Sequence, residues 1–193
     1  MLIFISGSVR SGKSSLGEKL AAVLAGEKRK VYLATARYYD QEIRERIKIH
    51  QQNRADKGFL TIDKSSSLVE IESLLVASDT VLLDCLGTLL ANEMFEESGQ
   101  SEPSYAVLNY PKICKKIAND LAQLQNRVAN LIVISNEIFS DGIIYAPTVE
   151  AYIKALAELH IILAAKSDVA IECVYGGYHC HKGCLTEILG KKP

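Results

Sequence analysis

Gly7-Ser8-Val9-Arg10-Ser11-Gly12-Lys13-Ser14 constrains this chain more than any other stretch, because it satisfies G-x-x-x-x-G-K-[ST] at every fixed position. Leu2 to Ile5, just before it, is a short apolar run that reads as a buried strand. Lys13 to Ala25, just after it, reads as a helix with Leu16, Leu20, Val23 and Leu24 on one face and Gly26 as its stop. A glycine-rich turn between a strand and a helix N-terminus aims consecutive backbone N–H groups and the helix dipole at one point, where a polyphosphate can sit. Gly7 and Gly12 allow the backbone to turn and approach. Lys13 supplies a point charge to the β- and γ-phosphates, and the Ser14 hydroxyl is placed to ligate Mg²⁺.

Beyond this motif, strands and helices alternate. Val31 to Thr35, Thr80 to Cys85, Leu131 to Ser135 and Val169 to Val174 read as further buried strands. Leu68 to Val76 and Leu86 to Glu96 read as helices. Another starts at Pro111 and carries the stripe Ile113, Ile117, Leu121, Leu124 and Val128. Val149 to Ala165 is amphipathic through Tyr152, Ile153, Leu156, Leu159 and Leu163. Ala55 to Ser67 is a polar stretch containing Thr61-Ile62-Asp63, and Glu97 to Asn109 reads as a mobile loop. The alternation predicts an α/β protein: a P-loop NTPase-type, doubly wound, mainly parallel sheet with helices on both faces. A single nucleotide-binding domain spanning 1–193 is expected. Ligands of such sheets collect at the carboxyl ends of the strands. Gly7, Thr35, Asp84 and Asn136-Glu137 all fall at such ends, so one cleft is expected to hold them. Asp84, closing an apolar strand, is expected to be the second Mg²⁺-organising carboxylate.

Composition narrows the partners. The chain has 22 Lys+Arg against 23 Asp+Glu, a net charge of −1, which gives no bulk attraction to nucleic acid or to a lipid surface. No apolar run approaches the roughly 18 residues of a membrane span. A core strand with no basic leader before it predicts a cytoplasmic location. There, the five cysteines are expected as thiols, with Cys85 and Cys114 serving as small core residues.

Gln41 to Asn53 reads as a helix on which Ile43, Ile47, His50 and Arg54 share a narrow sector, with Arg46 at its edge. A histidine between two arginines on an inward face is a candidate functional residue. A core histidine with a hydrogen-bond partner, or a frayed last helical turn, is the other reading.

Taken together, these pieces resemble the bifunctional adenosylcobinamide kinase / adenosylcobinamide-phosphate guanylyltransferase family of cobalamin synthesis. The resemblance rests on Arg10-Ser11-Gly12-Lys13-Ser14 and on Tyr32-Leu33-Ala34-Thr35-Ala36. It rests above all on Arg46-Ile47-Lys48-Ile49-His50-Gln51-Gln52-Asn53-Arg54, which fits R-I-x-x-H-x-x-x-R. Leu83-Asp84-Cys85-Leu86, then Asn92, and Ser135-Asn136-Glu137 fit as well. It implies two reactions: phosphorylation of the aminopropanol hydroxyl of adenosylcobinamide with ATP or GTP as donor, then transfer of GMP from GTP onto that phosphate. The second passes through a GMP adduct on histidine, which makes His50 and Lys13 the implied catalytic residues. Ala34, Thr35, Ala36, Gln51, Gln52, Asn53, Arg54 and Asp84 are the implied nucleotide contacts, together with the P-loop. Asp63 is added to them, standing where the family has Glu. Ser14 and Asp84 would hold Mg²⁺, and the implied assembly is a homo-oligomer, a trimer.

The chain departs from the family pattern in several places. Ala55 follows the second arginine instead of Pro, and Phe59 stands where Trp is usual. Residues 138–147 form a longer loop with one glycine fewer, and Tyr152-Ile153-Lys154 and His160-Ile161 replace the usual residues of the next helix. Residues 176–193 read as an extension in which His179, Cys180, His181 and Cys184, with Cys173 upstream, could offer soft metal ligands. Their spacing matches no standard zinc signature. Two further readings stay open: a P-loop kinase of another small alcohol, or a nucleotide-binding homologue without guanylyl transfer.

Overall fold

The computed structural model describes residues 1–37, 57–95, 103–139 and 142–190. The helix expected at Gln41 to Asn53 lies outside them. Among the described residues, seven strands form one sheet: β1 (Leu2–Gly7), β2 (Lys30–Ala34), β3 (Phe59–Asp63), β4 (Thr80–Asp84), β5 (Asn130–Ile134), β6 (Val169–Val174) and β7 (Gly177–Lys182). Their order is β3-β2-β4-β5-β1-β6-β7, parallel throughout except for the β6–β7 pair. The helices are α1 (Lys13–Ala25), α2 (Leu86–Phe95), α3 (Pro103–Arg127), α4 (Pro147–Lys166) and the short α5 (Leu185–Leu189), with a 3-10 helix at Leu68–Leu74.

The strands are apolar at successive positions because both faces of the sheet are covered. On β1, Leu2 and Phe4 enter one core with α2, α3 and α4, while Ile3 and Ile5 enter the other with α1 and α5. The connection from β1 to β2 crosses the sheet one way, and that from β5 to β6 crosses it the other way. Right-handed crossovers then require α1 and α4 on opposite faces. α1 lies close to its face because residue 17 is Gly: a Cβ there would fall 2.8 Å from Ile134 Cδ1 and 2.9 Å from Leu82 Cδ1.

Three local expectations are corrected, and one strand is added to those expected. Phe59–Asp63, which the sequence places in a polar stretch, is an edge strand in register with β2, where Phe59 meets Tyr32 edge to face at 6.1 Å. Residues 103–109, where the sequence predicts a loop, belong to α3, and Pro111 lies inside that helix instead of opening it. Pro103 occupies the first helical position, where the missing N–H costs nothing. Residues 68–74 form a 3-10 helix in place of an α-helix. Gly177–Lys182 forms β7, which is exposed at every position and so carries no alternation to read. A strand whose faces are both open is set by its pairing partner and not by its own pattern.

Candidate nucleotide site

The P-loop leaves β1 at Gly7, opposite Cys173 of β6. Only glycine fits there. Its φ is 151°, and a Cβ would lie 2.4 Å from the Cys173 carbonyl oxygen and 2.8 Å from Ser11 Oγ. Arg10 and Gly12 also have positive φ, 62° and 98°, and the Ser11 N–H donates to Ser8 O at 3.2 Å, closing the turn. The loop borders an open depression of about 290 Å³ lined by Arg10 to Ser15, with Val9 exposed at its rim.

Two features of the loop point to an anionic ligand. Lys13 is 7% exposed, and its Nζ donates to Ser8 O at 2.6 Å. Burial lowers its pKa, opposed by the negative charge of Asp84. A buried ammonium whose recorded partner is a carbonyl of its own loop is poised to exchange it for a phosphate oxygen. The buried Ser11 Oγ has no hydrogen-bond partner among the described residues. A buried hydroxyl without a partner costs free energy in the folded state, so something that can bond to it is expected to do so.

Asp84 completes the cluster from β4. One carboxylate oxygen, Oδ2, accepts from Ser14 Oγ at 2.9 Å and from Tyr32 OH at 2.6 Å. The P-loop, β4 and β2 therefore converge on a single atom. Register sets this up: Ala34 of β2 stands opposite both Asp84 and Asp63, so the ends of three strands lie abreast. Thr35 ties them together. Its N–H donates to Asp84 O, its Oγ1 donates to Cys85 O at 2.9 Å, and the same Oγ1 accepts from the Cys85 N–H. Asn92 Nδ2 donates to Thr35 O at 2.9 Å and to Ser65 O at 3.0 Å, anchoring that corner to α2. On the other flank, the Glu137 N–H donates to Gly7 O at 2.9 Å, which brings Asn136-Glu137 to the base of the P-loop.

Gly7 to Ser14, Ala34, Thr35, Ala36, Asp63 and Asp84 thus all stand at the carboxyl edge of the sheet, with Lys13, Ser14 and Asp84 in one cluster. His50, Gln51, Gln52, Asn53 and Arg54 lie outside the described residues, as does Arg46. The chemistry of the donor set suits Mg²⁺: a hydroxyl and a carboxylate, both hard oxygen ligands, beside a phosphate cradle. Tyr32 was legible only as part of a motif. Its hydrogen bond to Asp84 crosses 52 positions in sequence, and nothing local announces it.

Other polar groups near the site have structural partners. His160 lies against Ser135 Oγ at 2.7 Å and between Phe4 and Phe139, and burial pushes its pKa down to about 4. Burial likewise pushes the Cys85 and Cys173 thiols up. In the C-terminal segment, His181 Nε2 contacts Glu172 at 2.8 Å, Cys180 bonds to Lys182 O and Gly183 O, and Cys184 faces Thr186. Among the described residues no three His, Cys, Asp or Glu side chains converge as a metal set. None of the described helices is long and apolar enough to cross a membrane.

Comparison with known proteins extends this picture. A model of the family described as cobinamide kinase / cobinamide phosphate guanyltransferase matches residues 3–180. The bifunctional adenosylcobalamin biosynthesis protein CobU of Escherichia coli (strain K12) is 29% identical over 142 residues, covering 72% of this chain and 76% of that protein. The protein of the same name from Salmonella typhimurium (strain LT2) is also 29% identical over 142 residues, with the same coverage. Among solved structures, the flagellar accessory protein FlaH from Methanocaldococcus jannaschii aligns with a TM-score of 0.50 at 16% identity. That alignment covers 94% of this chain and 78% of that one, a likeness of fold alone.

Proposed function

The chain belongs to the cobinamide kinase / cobinamide phosphate guanyltransferase family, and on that basis we propose that it carries out both reactions of cobalamin synthesis at one P-loop. In the first it phosphorylates the aminopropanol hydroxyl of adenosylcobinamide from a nucleoside triphosphate. In the second it transfers GMP from GTP onto the new phosphate. The observation that carries the reading is the convergence of Ser14 and Asp84 at 2.9 Å beside the buried Lys13.

For the kinase step, the P-loop amides and Lys13 hold the β- and γ-phosphates in line with the acceptor. The hydroxyl oxygen bonds to the γ-phosphorus as the bond to the nucleoside diphosphate breaks, and the hydroxyl proton leaves to solvent. Lys13 neutralises charge as it develops on the transferred group, a contribution realised most fully in the transition state. Ser14 and Asp84 would hold Mg²⁺, which when bound neutralises the phosphate oxygens. Tyr32 holds the Asp84 carboxylate in place through its own hydroxyl.

For the second step, a neutral His50 imidazole nitrogen bonds to the α-phosphorus of GTP and pyrophosphate leaves. A phosphate oxygen of the phosphorylated corrinoid then attacks the same phosphorus, and the P–N bond breaks. Imidazole is suited to this because it is nucleophilic when neutral, and its phosphoramidate is labile enough to pass the group on. Arg46 and Arg54, one helical turn to either side in sequence, would steady the phosphates through forked hydrogen bonds. Ala34 to Ala36, Gln51 to Asn53 and Asp63 would complete the nucleotide contacts. A single domain, a cytoplasmic location and a trimeric assembly belong to the same reading.

The test is incubation with GTP labelled at the α-phosphate, followed by denaturation. The expected result is acid-labile label on the wild-type protein and none on His50→Asn, which still phosphorylates adenosylcobinamide from ATP at a reduced rate. Label persisting on the variant would move the nucleophile elsewhere. A wild-type protein that never labels would favour a kinase of another small alcohol or a binding-only homologue.

A further inference from the structure

β6 and β7 are joined by a two-residue turn, Tyr175-Gly176, between the paired residues Val174 and Gly177. Both turn residues are left-handed, Tyr175 with φ 47° and Gly176 with φ 82°. This is the geometry of a type I′ hairpin, whose first position favours Asn, Asp or Gly because a larger side chain strains the backbone there. The tyrosine ring does not repay that strain by packing within the chain, since it is 101% exposed. A bulky residue held in an unfavourable conformation with its side chain in solvent is the kind of outlier that points toward a ligand.

The position of the turn identifies the ligand. Gly7 and Cys173 are paired, so β6 runs out alongside the P-loop, and the Gly176 Cα lies 4.0 Å from where a Cβ on Gly12 would stand. Tyr175 therefore borders the phosphate cradle on its β6 side. Asp84, at the end where phosphate transfers, stands on β4, on the other side of β1. A triphosphate with its terminal group toward Asp84 extends its ribose and base toward the opposite flank, where the turn is.

We propose that Tyr175 is the platform on which the base of the bound nucleoside triphosphate stacks, a reading that rests on the P-loop being the nucleotide site. An aromatic platform accepts any base through its π-face. Tyr175 thus contributes affinity for a nucleoside over bare polyphosphate without choosing between adenine and guanine, as suits a site that takes either ATP or GTP.

The experiment is calorimetric titration of the full chain, with Mg²⁺, against GTP supplied as its α,β-methylene analogue, which binds without transferring GMP, and against inorganic tripolyphosphate, for wild type, Tyr175→Phe and Tyr175→Asn. Asparagine suits a positive φ, so the hairpin is kept, and a melting temperature at or above wild type verifies this. The expected result for Tyr175→Asn is GTP binding weakened about 5- to 150-fold, the range for loss of one stacked base, with tripolyphosphate binding unchanged. Tyr175→Phe should bind both ligands like wild type. The proposal is overturned if Tyr175→Asn binds GTP as wild type does, or if it loses both ligands equally, which would make the turn a wall of the cradle only. It is also overturned if the variant changes sedimentation and not GTP binding, which would assign the ring to contact with a second copy. Wild-type protein that binds tripolyphosphate and GTP equally well overturns the platform alone. Wild-type protein that binds neither overturns the phosphate cradle with it.

Discussion

Acidification should destabilise this fold through one residue, His160, by an amount that follows from where it sits. The ring is packed edge-on against Phe4 at 5.0 Å and Phe139 at 5.1 Å, with Ser135 Oγ as its recorded hydrogen-bond partner. Burial pulls its pKa from 6.5 to about 4, only partly opposed by the charge of Glu137. The unfolded chain therefore binds a proton at His160 between these two values and the folded chain does not. Stability must rise with pH across that window, which means it is intact above 6.5 and is lost as the pH falls toward 4. Integrating the linkage gives a loss of about 2 kcal/mol at pH 5 and about 3 kcal/mol at pH 4 relative to neutral pH. Carboxylates titrate in the same range, so the measurement is a difference between two proteins. Urea unfolding of wild type and His160→Gln is followed from pH 7.5 to pH 4.5; glutamine can still bond to Ser135 but does not titrate. The variant should be the less stable at pH 7.5, for lost ring packing, and should gain about 2 kcal/mol on wild type by pH 5. Stability curves that stay parallel through the whole range would refute the reasoning, because they would show His160 titrating alike in both states.

If one cradle serves both reactions, as proposed, Lys13→Ala should abolish phosphoryl and guanylyl transfer together, because a buried ammonium on the transferred group would contribute several kcal/mol of transition-state stabilisation; retained kinase turnover would place the phosphate site elsewhere. Asp84→Asn should lower Mg²⁺-dependent turnover about a hundredfold or more while nucleotide affinity stays near wild type, because the backbone amides still hold the phosphates. Turnover with an unchanged Mg²⁺ titration would reduce Asp84 to a strand-end residue.

The strand–turn–helix that opens the chain is legible in sequence because every requirement in it is local. The apolar run Leu2 to Ile5, the glycines at 7 and 12 and the stop at Gly26 lie within a few residues of the groups they act on. α1 accordingly begins and ends at the expected residues, and β6 likewise matches its expected span. The alternation of apolar runs with amphipathic ones was enough for the sheet class, since a strand covered on both faces announces itself by continuous hydrophobicity.

What the tertiary structure alone decided has, in nearly every case, a partner distant in sequence. β3 and β7 are edge strands of mixed or polar pattern, made strands by pairing with β2 and β6. Pro111 sits within α3 because the helix starts at Pro103, and the apolar stripe that follows Pro111 could not show that the helix had already begun. His160 reads equally well as a surface or a core residue until Phe4, Ser135 and Phe139 surround it. Asp84 could be proposed as a strand-end acid from the sequence, but the convergence of Ser14 and Tyr32 on one of its oxygens could not. Those contacts depend on register across three strands, and register comes from the packing of the whole sheet, not from any window of the chain.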